Sequence, residues 1–116
     1  MNIIKNIGLI FCAITLFTSV STSANSTEST NSSAPIISET IKHIEDALIE
    51  INKSDFSTAQ LFLKSARLSA AKITGNENLV KQANDFVIQG QIQTKYGDIN
   101  KSSDELNKAL KLYKSL

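Results

Sequence analysis

Apolar residues recur at intervals of three and four positions from Pro35 to the end of the chain, and this spacing constrains the fold more than any other feature. Such intervals place apolar side chains along one side of an α-helix, which has 3.6 residues per turn. Four segments with this spacing follow one another, separated by short polar or glycine-containing stretches. The sequence therefore predicts an all-α fold of four helices.

Each segment has its own apolar stripe and its own start or stop signal. Asp55 and Asp98 are suited to N-cap the second and fourth helices, and Asn76 to cap the third. Gly75 and Gly97 are suited to end the second and third helices. The four stripes are Ile37, Ile41, Ile44, Leu48 and Ile51; Phe56, Ala59, Leu63, Ala66, Ala70 and Ile73; Val80, Ala83, Val87 and Gly90; and Ile99, Ser102, Leu106, Ala109, Tyr113 and Leu116.

The two halves of this helical region resemble each other at an offset of 43 residues, which aligns Asp55 with Asp98 and Leu63 with Leu106. Each half is a helical hairpin that cannot bury its stripe alone, whereas two stacked hairpins can. Short connections make consecutive helices antiparallel. We therefore expect an up-down-up-down four-helix bundle over residues 38–116.

Two polar residues and two tyrosines in or near the stripes need a separate interpretation. Thr94 and Ser102 are polar at stripe positions, so the core is expected to thin at that end of the bundle. Tyr96 and Tyr113 lie near helix ends, where packing at the edge of the core is expected for both.

The beginning of the chain has a different pattern. Lys5 precedes an apolar run at residues 7–17, and small, mostly polar residues follow up to Ala24. This order is that of a secretory signal peptide, predicted over residues 1–24, because the run is too short for the ~20 apolar residues of a membrane span. Residues 25–37, rich in Ser, Thr and Asn, are predicted to be a disordered tether. A periplasmic or secreted location without a stable membrane anchor is expected.

Charge and cysteine content argue against several classes of function. The formal net charge is +1, and no basic stripe is present to bind nucleic acid phosphates. Cys12 is the only cysteine and lies in the predicted signal peptide, so no thiol would remain for a disulfide, a nucleophile or a zinc site. No phosphate loop, EF-hand loop or nucleophile elbow occurs. We therefore expect no enzyme.

One strip of the first helix has metal-binding chemistry. Glu39, His43, Asp46 and Glu50 are spaced by 4, 3 and 4 residues, which places them on one side of the helix. Imidazole and carboxylate groups on successive turns can bind a divalent transition metal such as Cu, Ni or Zn. The alternative is an ordinary solvated helix face. A metal site requires that the carboxylates converge around His43 and that His43 is partly open to water.

Leu61, Leu68, Ile88 and Ile92 lie beside the stripes of the second and third segments. They either widen the buried stripe of each helix or form an exposed apolar patch. A shared exposed patch would favour a protein-protein interaction or structural module that meets another protein of the cell envelope. A buried set would count against that interpretation.

The alanine-and-turn framework resembles that of a known family. The residues that carry the resemblance are His43–Leu48, Lys53–Asp55, Ala59, Ala66, Gly75–Leu79, Gly90, Gly97–Asp98 and Asn107–Leu110, within residues 38–114. Together they resemble the small metal-binding protein family of bacterial periplasmic four-helix bundles. The resemblance implies that fold, a periplasmic location and sequestration of divalent metals, copper included, by helix histidines. Of those histidines this sequence retains only His43, so the resemblance points to His43 with Glu39, Asp46 and Glu50.

Overall fold

The computed structural model describes residues 33–116, and this part of the chain contains four α-helices and no strand. The prediction of an all-α fold with four helices is confirmed. Helix α1 packs against α2 and α4, and helix α3 packs against the same two helices, an arrangement that is compatible with a four-helix bundle. The helices are α1 (Ala34–Asn52), α2 (Phe56–Ala70), α3 (Glu77–Lys95) and α4 (Ile99–Lys114).

Helix α1 begins at Ala34, ahead of the boundary at residue 38 that the sequence predicts between tether and bundle. Pro35 explains the early start, because proline in the first turn of a helix loses no intrahelical hydrogen bond. The predicted signal peptide and residues 25–32 of the predicted tether lie outside the described residues. Within residues 33–116, no helix has both the length and the hydropathy needed to cross a bilayer.

Aspartate caps begin two of the helices as predicted. The Asp55 carboxylate accepts a hydrogen bond from the Thr58 backbone N–H at 3.1 Å, at the start of α2. The Asp98 carboxylate accepts one from the Lys101 N–H at 3.0 Å, at the start of α4. The two caps occupy equivalent positions of the internal repeat, so both hairpins turn with the same local chemistry.

The connection between α2 and α3 differs from the prediction. Helix α2 ends at Ala70, and Ile73 is buried from the connecting segment instead of from the helix. Gly75 and Asn76 both have left-handed backbones, with φ of 82° and 47°. Asn76 occupies the N-cap position of α3, but its side chain makes no capping hydrogen bond. A capping side chain requires an extended backbone at the N-cap, and the left-handed conformation removes that geometry.

Most of the buried core residues belong to the predicted stripes, but Ala47 and Leu110 are buried outside them, and several stripe residues such as Ile41 and Leu48 are only partly buried. The Thr94 and Ser102 side chains, expected to mark a thin end, are fully buried and hydrogen-bonded to each other at 2.6 Å between their hydroxyl oxygens. This pair replaces apolar contacts with a satisfied polar contact between α3 and α4. The buried apolar residues are Ile44, Ala47, Ile51, Ala59, Leu63, Ala66, Ala70, Ile73, Ala83, Val87, Leu106, Ala109, Leu110 and Tyr113.

Candidate functional site

The predicted metal strip on α1 is only partly assembled in the structure. The His43 Nε2 atom lies 3.6 Å from the Glu39 carboxylate one turn earlier, and His43 is partly open to solvent. Its Nδ1 atom is buried and has no hydrogen-bond partner among the described residues. Two of the four predicted ligands are therefore adjacent.

The other two predicted ligands are held by lysines. Asp46 pairs with Lys42 at 3.0 Å, and Glu50 pairs with Lys53 at 3.6 Å. Within residues 33–116, no group of three or more His, Cys, Asp or Glu side chains is arranged to hold a metal ion. The residues present thus do not form a preassembled metal centre, and metal binding at this strip stays a prediction.

Two grooves lie on the surface between α2 and α3. A polar bridge joins the two helices there. The Gln60 side-chain amide donates to the Gln91 backbone carbonyl at 3.0 Å, and the Gln91 amide donates to the Gln60 side-chain oxygen at 3.2 Å. Arg67 donates to the Gln91 side-chain oxygen at 2.9 Å. We call this surface, between Phe56–Ala71 and Glu77–Tyr96, the α2–α3 face.

One groove of the α2–α3 face lies near the connection between the two helices. It has a volume of about 590 Å³, and its apolar lining includes Leu68, Ile73 and Val80. Lys64, Arg67 and Lys81 supply the cationic part of the lining, and Glu77 is its single carboxylate. We call it the Leu68 groove.

A second groove lies toward the start of α2 and the end of α3. Its volume is also about 590 Å³, with Phe56, Ile88, Ile92 and Tyr96 as the large apolar lining residues. Its lining contains the cations Arg67 and Lys95 and no carboxylate. We call it the Tyr96 groove; Arg67 borders both grooves.

The residues beside the stripes do not all behave alike. Leu61, Leu68 and Ile92 are 65%, 61% and 38% exposed, whereas Ile88 is half-buried. Leu68 borders one groove, and Ile88 and Ile92 border the other. The set is therefore divided: Ile88 is half-buried beside the stripe, and Leu61, Leu68 and Ile92 are exposed, with Leu61 bordering neither groove.

The two tyrosines differ from each other, although the sequence predicts core-edge packing for both. Tyr96 is 77% exposed and lines the Tyr96 groove, so the prediction of core-edge packing is wrong for this residue. Its position as the C-cap of α3, next to Gly97, is the signal that placed it outside the core. Tyr113 is 1% exposed, and burial raises its pKa from 10.0 to about 12. Its hydroxyl has no hydrogen-bond partner among the described residues, so Tyr113 acts in packing.

Comparisons of the chain with protein-family models, with curated proteins and with solved structures find no match.

Proposed function

We propose that this chain is an exported, non-enzymatic helical bundle that binds another protein through the α2–α3 face. One observation carries the proposal: exposed Leu68 and Tyr96 side chains border open grooves on this face. Exposed apolar side chains beside concave surfaces are typical of partner-binding sites. The interaction uses surface shape and apolar area, and no catalytic residue is assigned.

The proposal takes the helices as an up-down-up-down bundle. The connections between them have three, six and three residues, and the first helix contacts the last. Connections of this length favour antiparallel neighbours. In such a bundle the α2–α3 face is preorganised, so a partner loses little affinity to ordering of the chain.

Export is part of the proposal, because an exported chain would meet other proteins of the cell envelope. The order Lys5, apolar run and small residues up to Ala24 is the support for export. N-terminal sequencing of the protein recovered from its native cells tests it. We expect a new N-terminus near Asn25, and an uncleaved Met1 would contradict export by this route.

Site-specific photo-crosslinking in the native cells tests the interaction. A photoreactive amino acid replaces Leu68 in one variant and Tyr96 in another, since both side chains are exposed and substitution leaves the core intact. We expect a discrete crosslinked product from each of these variants, identified by mass spectrometry.

The control places the same photoreactive residue at Lys111, which is exposed on α4 and borders neither groove. No product is expected there. Equal products at all three positions would indicate random collision, and the absence of product at Leu68 and Tyr96 would remove the α2–α3 face as an interaction site.

Weak divalent-metal binding on α1 is the second candidate function, favoured by the 3.6 Å contact between His43 and Glu39. One imidazole and one carboxylate make a weak, unselective ligand set for Cu, Ni or Zn. Calorimetric titration of the protein with each ion, beside a His43→Ala variant, tests this role. Saturable binding that disappears in the variant would support it, and equal heats would remove it.

A further inference from the structure

Resting on the proposed function, we infer that the α2–α3 face binds an acidic amphipathic helix of the partner protein. The lining of the two grooves contains four cations and a single carboxylate, Glu77. Glu77 lies in the first turn of α3, where a negative charge complements the partial positive charge of the helix N-terminus. The lining of the face therefore combines large apolar side chains with an excess of positive charge. The four cations are Lys64, Arg67, Lys81 and Lys95.

Most of these cations make no ion pair with a carboxylate within residues 33–116. Within residues 33–116, no carboxylate lies within ion-pair distance of Lys64, Arg67 or Lys95. Lys81 pairs with Asp85 at 3.6 Å across an exposed turn, a contact of little net strength. The acidic residues elsewhere on the bundle are mostly engaged, with Asp55 and Asp98 used as helix caps. Charge complementarity therefore selects a partner that brings carboxylates to this face.

The shape of the face selects a helix. Ala70 and Ile73 line the Leu68 groove and are 2% and 8% exposed, so an apolar ridge that enters the groove is the shape that contacts them. A helix laid between two helices presents such a ridge through apolar residues at i, i+3, i+4 and i+7. Helix α3, with 19 residues, provides a track of about 28 Å for about five turns of partner helix. A flat lipid surface would contact exposed cations such as Lys64 and Lys81 without entering the groove.

A second copy of the chain is the other acidic helix to weigh. Helix α1 carries Glu39, Glu45, Asp46 and Glu50, with Ile49 exposed among them. All four carboxylates already contact a cationic or imidazole group of the same molecule, at Lys42, His43, Lys53 and Lys114. These exposed pairs are weak, but docking of α1 would also bring the exposed Lys42 and Lys53 side chains to a positively charged face, so α1 has poorer charge complementarity than an uninterrupted acidic helix. The occupant is therefore a different protein.

Fluorescence anisotropy with two labelled synthetic peptides tests the inference. The first carries a leucine stripe at helical spacing flanked by glutamates, and the second has lysine at every glutamate position. We expect the full-length protein to bind the acidic peptide at least about tenfold more tightly than the basic one, because like charges oppose the second peptide. The acidic peptide should also lose affinity as salt is raised.

Two variants assign the binding to the face. Lys64→Glu reverses an exposed groove cation, and Leu68→Gln removes an exposed apolar contact. Each should weaken the acidic peptide by about tenfold, as central interface residues do. Lys111→Glu is the matched control, because Lys111 is exposed, borders neither groove and makes no ion pair within residues 33–116. It should change the affinity less than about twofold. Circular dichroism of all three variants checks that they remain helical, which is the expected result.

Three results would overturn the inference. Equal binding of the acidic and basic peptides would remove charge as the selecting feature. Equal or tighter binding to phosphatidylglycerol vesicles, weakened by Lys64→Glu, would assign a membrane surface instead. A concentration-dependent dimer in sedimentation velocity, abolished by Lys64→Glu, would assign a second copy.

The two experiments distinguish failure of this inference from failure of the proposed function. If neither peptide binds but the photo-crosslinks at Leu68 and Tyr96 form, only the acidic character of the partner is wrong. If neither binding nor crosslinking is observed, the proposed function is wrong as well.

Discussion

The two helical hairpins follow the same pattern but use different chemistry where their helices meet. Leu63 in the first hairpin and Leu106 in the second are both fully buried. The first hairpin is apolar at the neighbouring core positions, whereas the second has glycine and hydroxyl side chains at their equivalents. The pairs related by the 43-residue offset are Ala47 and Gly90, Ile51 and Thr94, and Ala59 and Ser102.

Small and polar residues bring the helices of the second hairpin close together. A Cβ atom at Gly90 would lie 2.6 Å from the Leu106 Cδ2 atom, so the leucine occupies the space that a methyl group would need. The Thr94 hydroxyl donates to the Gly90 carbonyl at 2.7 Å, and the Ser102 hydroxyl lies 2.6 Å from that of Thr94. One hairpin pattern is therefore stabilised in two ways, by aliphatic packing in the first hairpin and by close approach with buried hydrogen bonds in the second.

Truncation of the central leucines should have the largest effect. Leu63→Ala and Leu106→Ala each remove a fully buried side chain, so each should lower the free energy of unfolding by about 2–5 kcal/mol. Urea denaturation followed by circular dichroism measures both. Similar losses would show that the hairpins share one central packing position. A loss below about 1 kcal/mol for either variant would contradict its place in the core.

Gly90→Ala should come next, with a loss of about 1–3 kcal/mol from the clash with Leu106, despite a helix-propensity gain of up to ~1 kcal/mol. The double variant Gly90→Ala, Leu106→Ala provides the control. Removing the leucine side chain should make the added methyl group harmless, so the two losses should not add. Additive losses would contradict the close contact as the cause.

Thr94→Val should lower the free energy of unfolding by about 1–3 kcal/mol, because the buried Ser102 hydroxyl loses its 2.6 Å partner and keeps only a 3.4 Å contact with the Gly90 carbonyl. Adding Ser102→Ala removes that hydroxyl as well. Denaturation curves should show the double variant closer to the wild type than the sum of the single losses predicts. If Thr94→Val alone is neutral, the second hairpin does not depend on its buried hydrogen bonds.

The two helix caps should contribute equally, in contrast to the core positions. Asp55→Ala and Asp98→Ala each remove one side-chain hydrogen bond to the start of a helix. Each should cost about 1 kcal/mol. Thermal unfolding of both variants at neutral pH measures the losses. A difference larger than the cost itself would show that the repeat is less symmetric in its turns than its geometry indicates.

The smallest effect near neutral pH is expected at Tyr113, whose contribution to the free energy of unfolding should decrease only at alkaline pH. Burial raises the pKa of Tyr113 from 10.0 to about 12, so its contribution to stability is complete below pH 10 and is lost as pH rises through 12. The equivalent residue of the first hairpin is Ala70, which cannot titrate. Tyr113→Phe should leave the neutral-pH stability nearly unchanged and make unfolding less dependent on pH between 10 and 12. An unchanged pH profile would contradict burial as the cause of the shift.

Sequence patterns predicted the helices better than the surfaces. The stripe residues Ile44, Leu63 and Leu106 are buried, and Asp55 caps α2, because periodicity and capping are local properties of the chain. The end of α2 at Ala70 was missed, because the connecting segment buries Ile73 without continuing the helix. The residue at which α2 ends depends on which neighbouring side chains bury Ile73, and local spacing does not show this.

The candidate sites were predicted less completely. Spacing alone placed Asp46 and Glu50 beside His43, but Lys42 and Lys53 lie at equally suitable spacings and hold those carboxylates. Spacing along a helix identifies the possible neighbours of a side chain but does not show which of them it contacts. Competition among neighbours is decided by rotamers and solvent, and those follow from the packed structure.

Before any packing is considered, the amino-acid sequence predicts four helices from residue 38 onward and the buried side of each helix. Both properties follow from spacing along one chain segment. Packing between the helices determines that Leu68 stays exposed while Ile88 is half-buried, and that the polar side chains of Gln60 and Gln91 join α2 to α3. Exposure depends on how far apart two helices lie, and that distance is set by all the side chains packed between them.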